Sequence, residues 1–203
     1  MNNENKEILE FIESLKGLDD MSADDILEMT NYLSEGGEID LPPDLLIESD
    51  KLTQKETQNE NDITDIRILI SKLRLPGKVK LAMFGNAACR GLLITNGNKL
   101  IQLAVLKNPK LQEQEIESFS KNPNLSSAVL RVISENKKWM KSYYLKYNIT
   151  ANPKTPPDVA LKWFRFLNKS DLKKLSRSRD VSGVVVTQAK KKLQNMEEKK
   201  GGE

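Results

Sequence analysis

Clustered cations are the residues of this chain whose types and spacing best suit a chemical role, and that role is the binding of anions. Lys137, Lys138 and Lys141 surround Trp139, and a second group of cations follows further along the chain. Lysine and arginine hold phosphate and carboxylate groups through charge-assisted hydrogen bonds. The candidate binding surface consists of Lys137, Lys138, Trp139, Lys141, Lys169, Lys173, Lys174 and Arg177.

The second group of cations has the spacing of one helix face. Residues four apart in a helix are neighbours, so Lys169, Lys173 and Arg177 are expected to form a cationic stripe. Such a stripe suits the phosphates of a nucleic acid or the carboxylates of an acidic peptide. The alternative interpretation is a solvated face of lysines with no partner, because charge alone is a weak indicator of function.

The composition excludes chemistry based on histidine or on paired cysteines. The chain has no histidine and one cysteine, Cys89, so it lacks the residues for an internal disulfide, a Cys/His zinc site or a histidine-based triad. Cys89 lies among small apolar residues and is interpreted as a core residue. Residues 85–91 lack the Gly-Lys-Ser/Thr ending of a phosphate-binding loop. We therefore expect no enzymatic activity and no cofactor.

The two parts of the chain carry opposite charge, although the net charge of the whole is +3. Residues 1–62 hold 18 acidic and 4 basic residues, a net charge of −14, whereas residues 63–203 hold 28 basic and 11 acidic residues, a net charge of +17. This division favours a polyanionic partner for the basic part, an acidic regulatory segment, or attraction between the two parts.

The acidic part is predicted to contain two short helices and a linker. Apolar residues at helical spacing predict a helix that ends at Gly17, and Ser22 with Asp25 forms a capping box that begins a second helix. Two such helices cannot bury a core of their own. We expect an acidic helical segment at 1–37, followed by a flexible linker at 38–62 that is rich in proline and polar residues.

Folding of the acidic segment back onto the basic part is a further hypothesis. A flexible linker of about 25 residues spans about 25–30 Å, which is enough for contact. The segment would then compete with an anionic partner and act as an autoinhibitor. The alternative is an independent acidic tail that aids solubility. The residues expected at the contact are Leu9, Ile12, Ile26, Leu27, Asp19, Asp20, Asp24 and Asp25.

The basic part is predicted to be all-α. Apolar residues recur at helical spacing, and no stretch shows the alternation that is typical of β-strands. We expect one basic helical-repeat domain at 63–195 and a disordered tail at 196–203. The expected helices are 63–73, 79–84, 88–94, 100–106, 113–120, 126–135, 138–149, 156–167, 170–176 and 182–194.

A phrase built on Asn-Pro occurs three times in this domain. It reads Lys-Asn-Pro-Lys-Leu from Lys107, Lys-Asn-Pro-Asn-Leu from Lys121, and Ala-Asn-Pro-Lys-Thr from Ala151. Proline ends one helix and its fixed φ favours the start of the next, so each phrase is expected to separate two helices. After the third phrase, Thr155 is predicted to cap a helix whose first residue is Pro156.

Three similar segments end at Asn86, Asn108 and Asn152, at intervals of 22 and 44 residues. The shorter interval is the size of a hairpin of two short helices, and such hairpins stack because no single one hides its apolar face. The fold expected from this spacing is a short α-solenoid-like array of helical hairpins.

The signature Asn-Pro-x-[Leu/Thr]-[Ser/Pro]-x-x-Val, at residues 122–129 and 152–159, resembles the helical repeats called leucine-rich repeat variants and HEAT-type arrays. It is also similar to bacterial helical-repeat proteins in which Asn-Pro-Lys-Thr-Pro follows a segment like residues 136–141. The resemblance covers about residues 75–194 and implies a stacked helical fold with a binding role, without naming the partner. The iron–sulfur segment of some leucine-rich repeat variants is not implied, because Cys89 stands alone.

Aromatic residues interleave with the cations of this part of the chain. At helical spacing such rings usually fill the space between helices, so Trp163 and Phe166 are predicted to be core residues. Trp139 is surrounded by lysines and is interpreted as an anchor for a binding partner.

These observations favour a non-enzymatic adaptor that binds a protein or peptide partner, expected to be acidic, through a helical-repeat surface. The alternative is a nucleic-acid-binding module that uses the cationic face. The apolar runs of the sequence are much shorter than the roughly 20 residues that span a bilayer, and the acidic N-terminus is unlike a secretory signal. We therefore expect a cytoplasmic protein with no membrane partner.

Overall fold

The computed structural model describes residues 3–15, 22–34, 41–42, 45–46 and 60–198. These residues form twelve α-helices and one short 3-10 helix. Within those ranges the β-type pairing consists of a single bridge between Leu46 and Gly85. The prediction of an all-α fold is therefore confirmed for the described residues. The chain divides into two compact units, Met1–Leu111 and Gln112–Glu203.

The first unit is built around a helix that is apolar on most of its surface. Its described helices are α1 (Asn3–Leu15), α2 (Ala23–Ser34), α3 (Glu60–Lys72), α4 (Leu75–Phe84), α5 (Ala87–Leu93) and α6 (Lys99–Val105). Helix α4 contacts α1, α2, α5 and α6. A helix with apolar residues all round is stable when other helices cover it. The residues that α4 buries include Val79, Leu81, Ala82 and Met83.

The acidic helices α1 and α2 pack against each other and against α4. Lys80 of α4 is only 8% exposed, and its Nζ lies 2.8 Å from Oε2 of Glu4 on α1. Nδ2 of Asn98 donates a hydrogen bond of 2.7 Å to Oδ2 of Asp25 on α2. Apolar burial and these polar contacts together hold α1 and α2 in the first unit.

The residues expected at the contact of the acidic segment are placed unevenly. Ile12 is buried, whereas Leu27 is 58% exposed, because Met29 and Leu33 occupy the buried face of α2. The expectation for Leu27 is therefore wrong. Leu9 and Ile26 are half-buried, and Asp24 is exposed. Asp19 and Asp20 lie outside the described residues. Most of the predicted linker at 38–62 and the end of the predicted tail at 196–203 also lie outside them.

The second unit contains the remaining helices. They are α7 (Glu113–Ser120), α8 (Ser127–Glu135), a 3-10 helix (Trp139–Lys141), α9 (Tyr143–Ala151), α10 (Pro157–Phe164), α11 (Lys169–Arg177) and α12 (Gly183–Glu198). Helix α9 contacts α7, α8 and α10, while α12 contacts α10 and α11. The apolar cluster that α10, α11 and α12 share contains Ala160, Phe164, Leu167, Leu172, Leu175, Val185 and Ala189. Among the described residues, every helix is too short or too polar to cross a bilayer.

Several predicted helix boundaries of this unit differ in the structure. The expected helix 138–149 is split, because Oγ of Ser142 accepts a hydrogen bond of 3.3 Å from the backbone N–H of Leu145 and so starts α9. Thr155 does not cap α10, since the cap position is Pro156. Pro157 holds Pro156 in the extended conformation, and α10 therefore begins one residue later than expected. Helix α12 extends to Glu198, beyond the expected end at 194.

Candidate functional site

The third Asn-Pro turn ties the end of α9 to the end of α7. Oδ1 of Asn152 accepts a hydrogen bond of 2.9 Å from the backbone N–H of Lys154, which closes the turn. Nδ2 of Asn152 donates to the carbonyl oxygens of Ser120 and Asn122, both at 2.9 Å. Asn152 is 4% exposed. The side chain therefore supplies donors to carbonyls that the end of α7 leaves without helical partners.

A second amide on α9 strengthens the same junction. Nδ2 of Asn148 donates to the carbonyl oxygen of Glu117 at 3.1 Å and to Oγ of Ser120 at 3.0 Å. At the other end of α9, Oγ of Ser142 donates to the carboxylate of Glu117. Buried polar groups that are fully paired hold helices in one arrangement. Helix α9 is thus bonded to the C-terminal half of α7.

Between the two Asn-Pro turns of the second unit lies an open groove of about 680 Å³. Its walls are mostly apolar and include Tyr147 and Ala151 of α9 and the two turn prolines, with the cation Lys121 and the carboxylate Asp180 also in contact with the groove. Its volume is in the range of sites that enclose a small ligand or a few side chains. The lining residues are Ser120, Lys121, Pro123, Tyr147, Asn148, Ala151, Asn152, Pro153 and Asp180.

The groove was not predicted from the sequence. The Asn-Pro phrases were interpreted as helix boundaries, which is where the structure places them: Pro109, Pro123 and Pro153 all lie between helices. A signal for the groove was the presence of similar turns at Lys121 and Ala151, because similar turns at the same end of neighbouring helices place their prolines close together.

The predicted cations occupy two positions in the second unit. Lys137, Lys138 and Lys141 are exposed around a half-buried Trp139 in and before the 3-10 helix. On α11, Lys169 is half-buried, and Lys173 and Arg177 are exposed. The helix that the stripe requires is therefore present.

Lys174 differs from the other cations of α11 because it is paired with a carboxylate. Its Nζ lies 2.9 Å from Oδ1 of Asp171, which raises the pKa of Lys174. The hydroxyl of Tyr143 donates a hydrogen bond of 2.6 Å to Oδ2 of Asp171 and accepts one of 3.1 Å from the backbone N–H of Asn168. The hydrogen bond from Tyr143 is the main reason that the pKa of Asp171 is lowered, and it outweighs the opposite effect of burial.

The aromatic residues in and just after α10 do not all lie where the sequence placed them. Phe166 is 52% exposed and Trp163 is half-buried, so the prediction of a core role is wrong for Phe166 and only partly met by Trp163. Helix α10 ends at Phe164, and helical spacing no longer determines the direction of a residue beyond that end. Phe164 is the ring of this group that is buried.

Comparison with protein-family models, with curated proteins and with solved structures finds no match to this chain. In the part of the chain that the structure describes, no group of three or more cysteine, aspartate or glutamate residues is placed to hold a metal ion. The functional assignment therefore depends on the surfaces of the molecule itself.

Proposed function

We propose that the protein is a non-enzymatic adaptor whose groove in the second unit binds a peptide segment of a protein partner. The observation that carries this proposal is the groove of about 680 Å³ between the two Asn-Pro turns. The ring of Tyr147, the methyl group of Ala151 and the prolines at its walls suit an apolar side chain. The hydrogen bonds of Asn148 and Asn152 make the walls rigid, so little ordering accompanies binding.

The charges around the groove favour a peptide that carries acidic residues beside its apolar anchor. Lys121 lines the groove and is exposed, so it is available to a carboxylate of the partner. Asp180 also lines the groove and favours a basic group in the part of the peptide that lies beside it. A peptide that meets both charges would therefore bind in one direction. The exposed cations of the second unit, including Lys173 and Arg177, would draw an acidic partner toward this unit.

We further propose that the helices stack as a short α-solenoid-like array, as the resemblance to leucine-rich repeat variants and HEAT-type arrays implies. The support is that Asn108 and Asn152 make equivalent bonds in different units. Nδ2 of Asn108 donates to the carbonyl oxygens of Ala82 and Gly85 at 3.2 and 2.9 Å, as Nδ2 of Asn152 does at the end of α7. Equivalent bonds at successive helix pairs are typical of repeat architectures.

The proposal is tested by selection from a displayed library of short random peptides with the full chain as bait. Ala151→Arg places a long cation in the groove and should abolish the enrichment of the selected peptides. The matched control is Gln114→Arg, which adds the same charge at an exposed position of α7 outside the groove. Enrichment that survives Ala151→Arg, or no enrichment by the unaltered chain, contradicts the peptide-binding role.

A further inference from the structure

A second surface of this unit combines an exposed ring and a half-buried ring with cations. We define the aromatic–cationic face as Lys146, Lys162, Trp163, Arg165 and Phe166. The ring centroids of Trp163 and Phe166 are 5.7 Å apart. Nζ of Lys146 and Cζ of Arg165 each lie 5.5 Å from the centroid of Phe166, and Nζ of Lys162 lies 5.2 Å from that of Trp163. Three cations therefore surround two neighbouring rings.

The cations of this face are not neutralised by acidic side chains. Nζ of Lys146 contacts the carbonyl oxygen of Lys141 at 3.4 Å, and Nε of Arg165 donates to the carbonyl oxygen of Lys162 at 2.9 Å. Within the described ranges of the chain, no carboxylate lies at ion-pair distance from Lys146, Lys162 or Arg165. The face therefore keeps its positive charge for a ligand.

A further cation borders this face. Nζ of Lys192 on α12 donates to the carbonyl oxygen of Arg165 at 3.1 Å and lies 5.1 Å from the ring centroid of Phe164. Lys162 of α10 and Lys192 of α12 thus place positive charge beside the rings of Trp163 and Phe164. Phe166, the ring next to Trp163, is 52% exposed. An exposed ring with several cations near it has the composition of a surface that stacks bases and pairs phosphates.

We propose that the aromatic–cationic face binds single-stranded nucleic acid. Bases stack on Phe166 and Trp163, and Lys146, Lys162 and Arg165 pair with the phosphates that connect those bases. A duplex would use the cations but keeps its bases stacked within itself, so the rings would have no partner. An acidic peptide would likewise use the charges alone. Single strands use both components, because every base presents a flat π-face.

The test measures anisotropy of a labelled oligothymidylate of about 15 nucleotides, a length suited to one binding face, with the full chain at low salt. A second probe has the same phosphates and sugars but no bases. We expect tighter binding of the strand with bases. Phe166→Ala should weaken that binding about tenfold and leave the abasic probe unaffected, while Phe166→Tyr keeps the stacking ring and the affinity.

Two further variants test whether the strand binds at this face and not elsewhere on the surface of the unit. Arg165→Ala should lower the slope of log affinity against log salt by about 1 for both probes. Leu161→Ala removes a neighbouring apolar residue of α10 that is 37% exposed and is the control, with no expected change. Circular dichroism confirms that each variant is folded. Ala151→Arg should retain oligothymidylate binding, so failure of the peptide proposal and failure of this one are distinguishable.

Three results would overturn the inference. The first is the absence of oligothymidylate binding at low salt. The second is equal affinity for the probes with and without bases, which would show a response to charge only. The third is that Phe166→Ala abolishes the binding of a polyglutamate peptide but not the binding of oligothymidylate. That result would assign the face to an acidic protein segment.

Discussion

Asn108 in the first unit and Asn152 in the second unit make the same hydrogen bonds in different surroundings. Each accepts a bond from the backbone N–H two residues later and donates to two carbonyls at the end of an earlier helix. Beside Asn108, Nη1 of the buried Arg90 donates to Gly85 O at 3.1 Å and to Asn108 Oδ1 at 3.4 Å. Beside Asn152 lies the open groove.

The Asn-Pro turn therefore has the same structural role in both units, and its neighbours are what differ. The turn is a structural device in both units, because it supplies donors to carbonyls at a helix end. The proposed peptide binding depends instead on the neighbours of the turn. In the first unit the guanidinium of Arg90 bonds to the asparagine, whereas prolines, Tyr147 and Ala151 line a groove in the second.

The largest expected effects concern the two asparagines themselves. Asn152→Ala should lower the free energy of unfolding by about 3 kcal/mol, because two buried carbonyls lose their donor. Asn108→Ala should cost about 4 kcal/mol, since it also removes an acceptor of the buried Arg90 guanidinium. Urea denaturation followed by circular dichroism measures both values.

The exposed Asn124 provides the control for this pair. Asn124→Ala keeps the adjacent Asn-Pro turn and should cost less than about 0.5 kcal/mol. Losses below about 1 kcal/mol at both Asn108 and Asn152 would contradict the shared structural role of the two turns. Equal losses at the two positions would show instead that Arg90 adds nothing to the first turn.

Trp163 of α10 and Phe166 just after it give the next effect in size. Trp163→Ala should lower the free energy of unfolding by about 2 kcal/mol, because the ring is half-buried, whereas Phe166→Ala should cost less than about 1 kcal/mol. Thermal unfolding of the two variants side by side makes the comparison. A larger loss for Phe166→Ala would place that ring in the core, as the sequence suggested, and would remove the ring from the exposed surface.

Much of the fold follows from local sequence, as α11 shows. The sequence predicts a helix at 170–176, and the structure has one at Lys169–Arg177 that Asn168 caps. The errors arise where one residue overrides the apolar spacing. Ser142 starts a helix inside a predicted one, and Pro157 moves the start of α10 past Thr155. Both residues act through local chain chemistry, a cap hydrogen bond and the restriction that proline puts on the residue before it, which the apolar spacing does not show.

The groove was not predicted from the sequence for a different reason. Its lining comes from the ends of α7 and α9, the Asn-Pro turns that follow them and the segment before α12. The groove therefore exists only after helices far apart in the chain have packed. The cations and rings of the sequence were visible one by one. Which of them face solvent together depended on the end of α10 at Phe164. The kinds of side chain on the surface could therefore be predicted from the sequence, but which of them lie together could not.

The hydrogen bond between Tyr143 and Asp171 predicts a pH dependence that is specific to the second unit. Because the folded-state pKa of Asp171 is lowered, its carboxylate stabilises the fold above the unfolded-state pKa of about 3.9, and this contribution is lost as pH falls through the lowered value. Tyr143→Phe removes the main cause of the lowered pKa.

The variant should therefore lose less stability than the unaltered chain when the pH is lowered from about 5 to below the folded-state pKa of Asp171. At neutral pH, Tyr143→Phe should cost about 1 kcal/mol through the lost hydrogen bond. Urea midpoints measured across this range test both statements. Identical acid dependence in the two proteins would show that the hydroxyl does not control the carboxylate.

The smallest expected effects are at the charges that line the groove. Lys121→Ala and Asp180→Ala should each weaken binding of a selected peptide by about two- to fivefold, and the loss should shrink as salt screens the charges. Calorimetric titration at two salt concentrations measures this. A loss as large as that from Ala151→Arg would mean that charge, and not the apolar groove, dominates recognition.

The central claim, that the groove beside Asn152 is the peptide site, is tested most directly by mapping a bound peptide with amide NMR. The full chain is labelled with ¹⁵N and titrated with a peptide obtained by selection. The account predicts that the largest chemical-shift changes fall on the amides of Lys121, Asn148, Ala151 and Asp180. Changes concentrated on the first unit, or on Arg165 and Phe166, would contradict it.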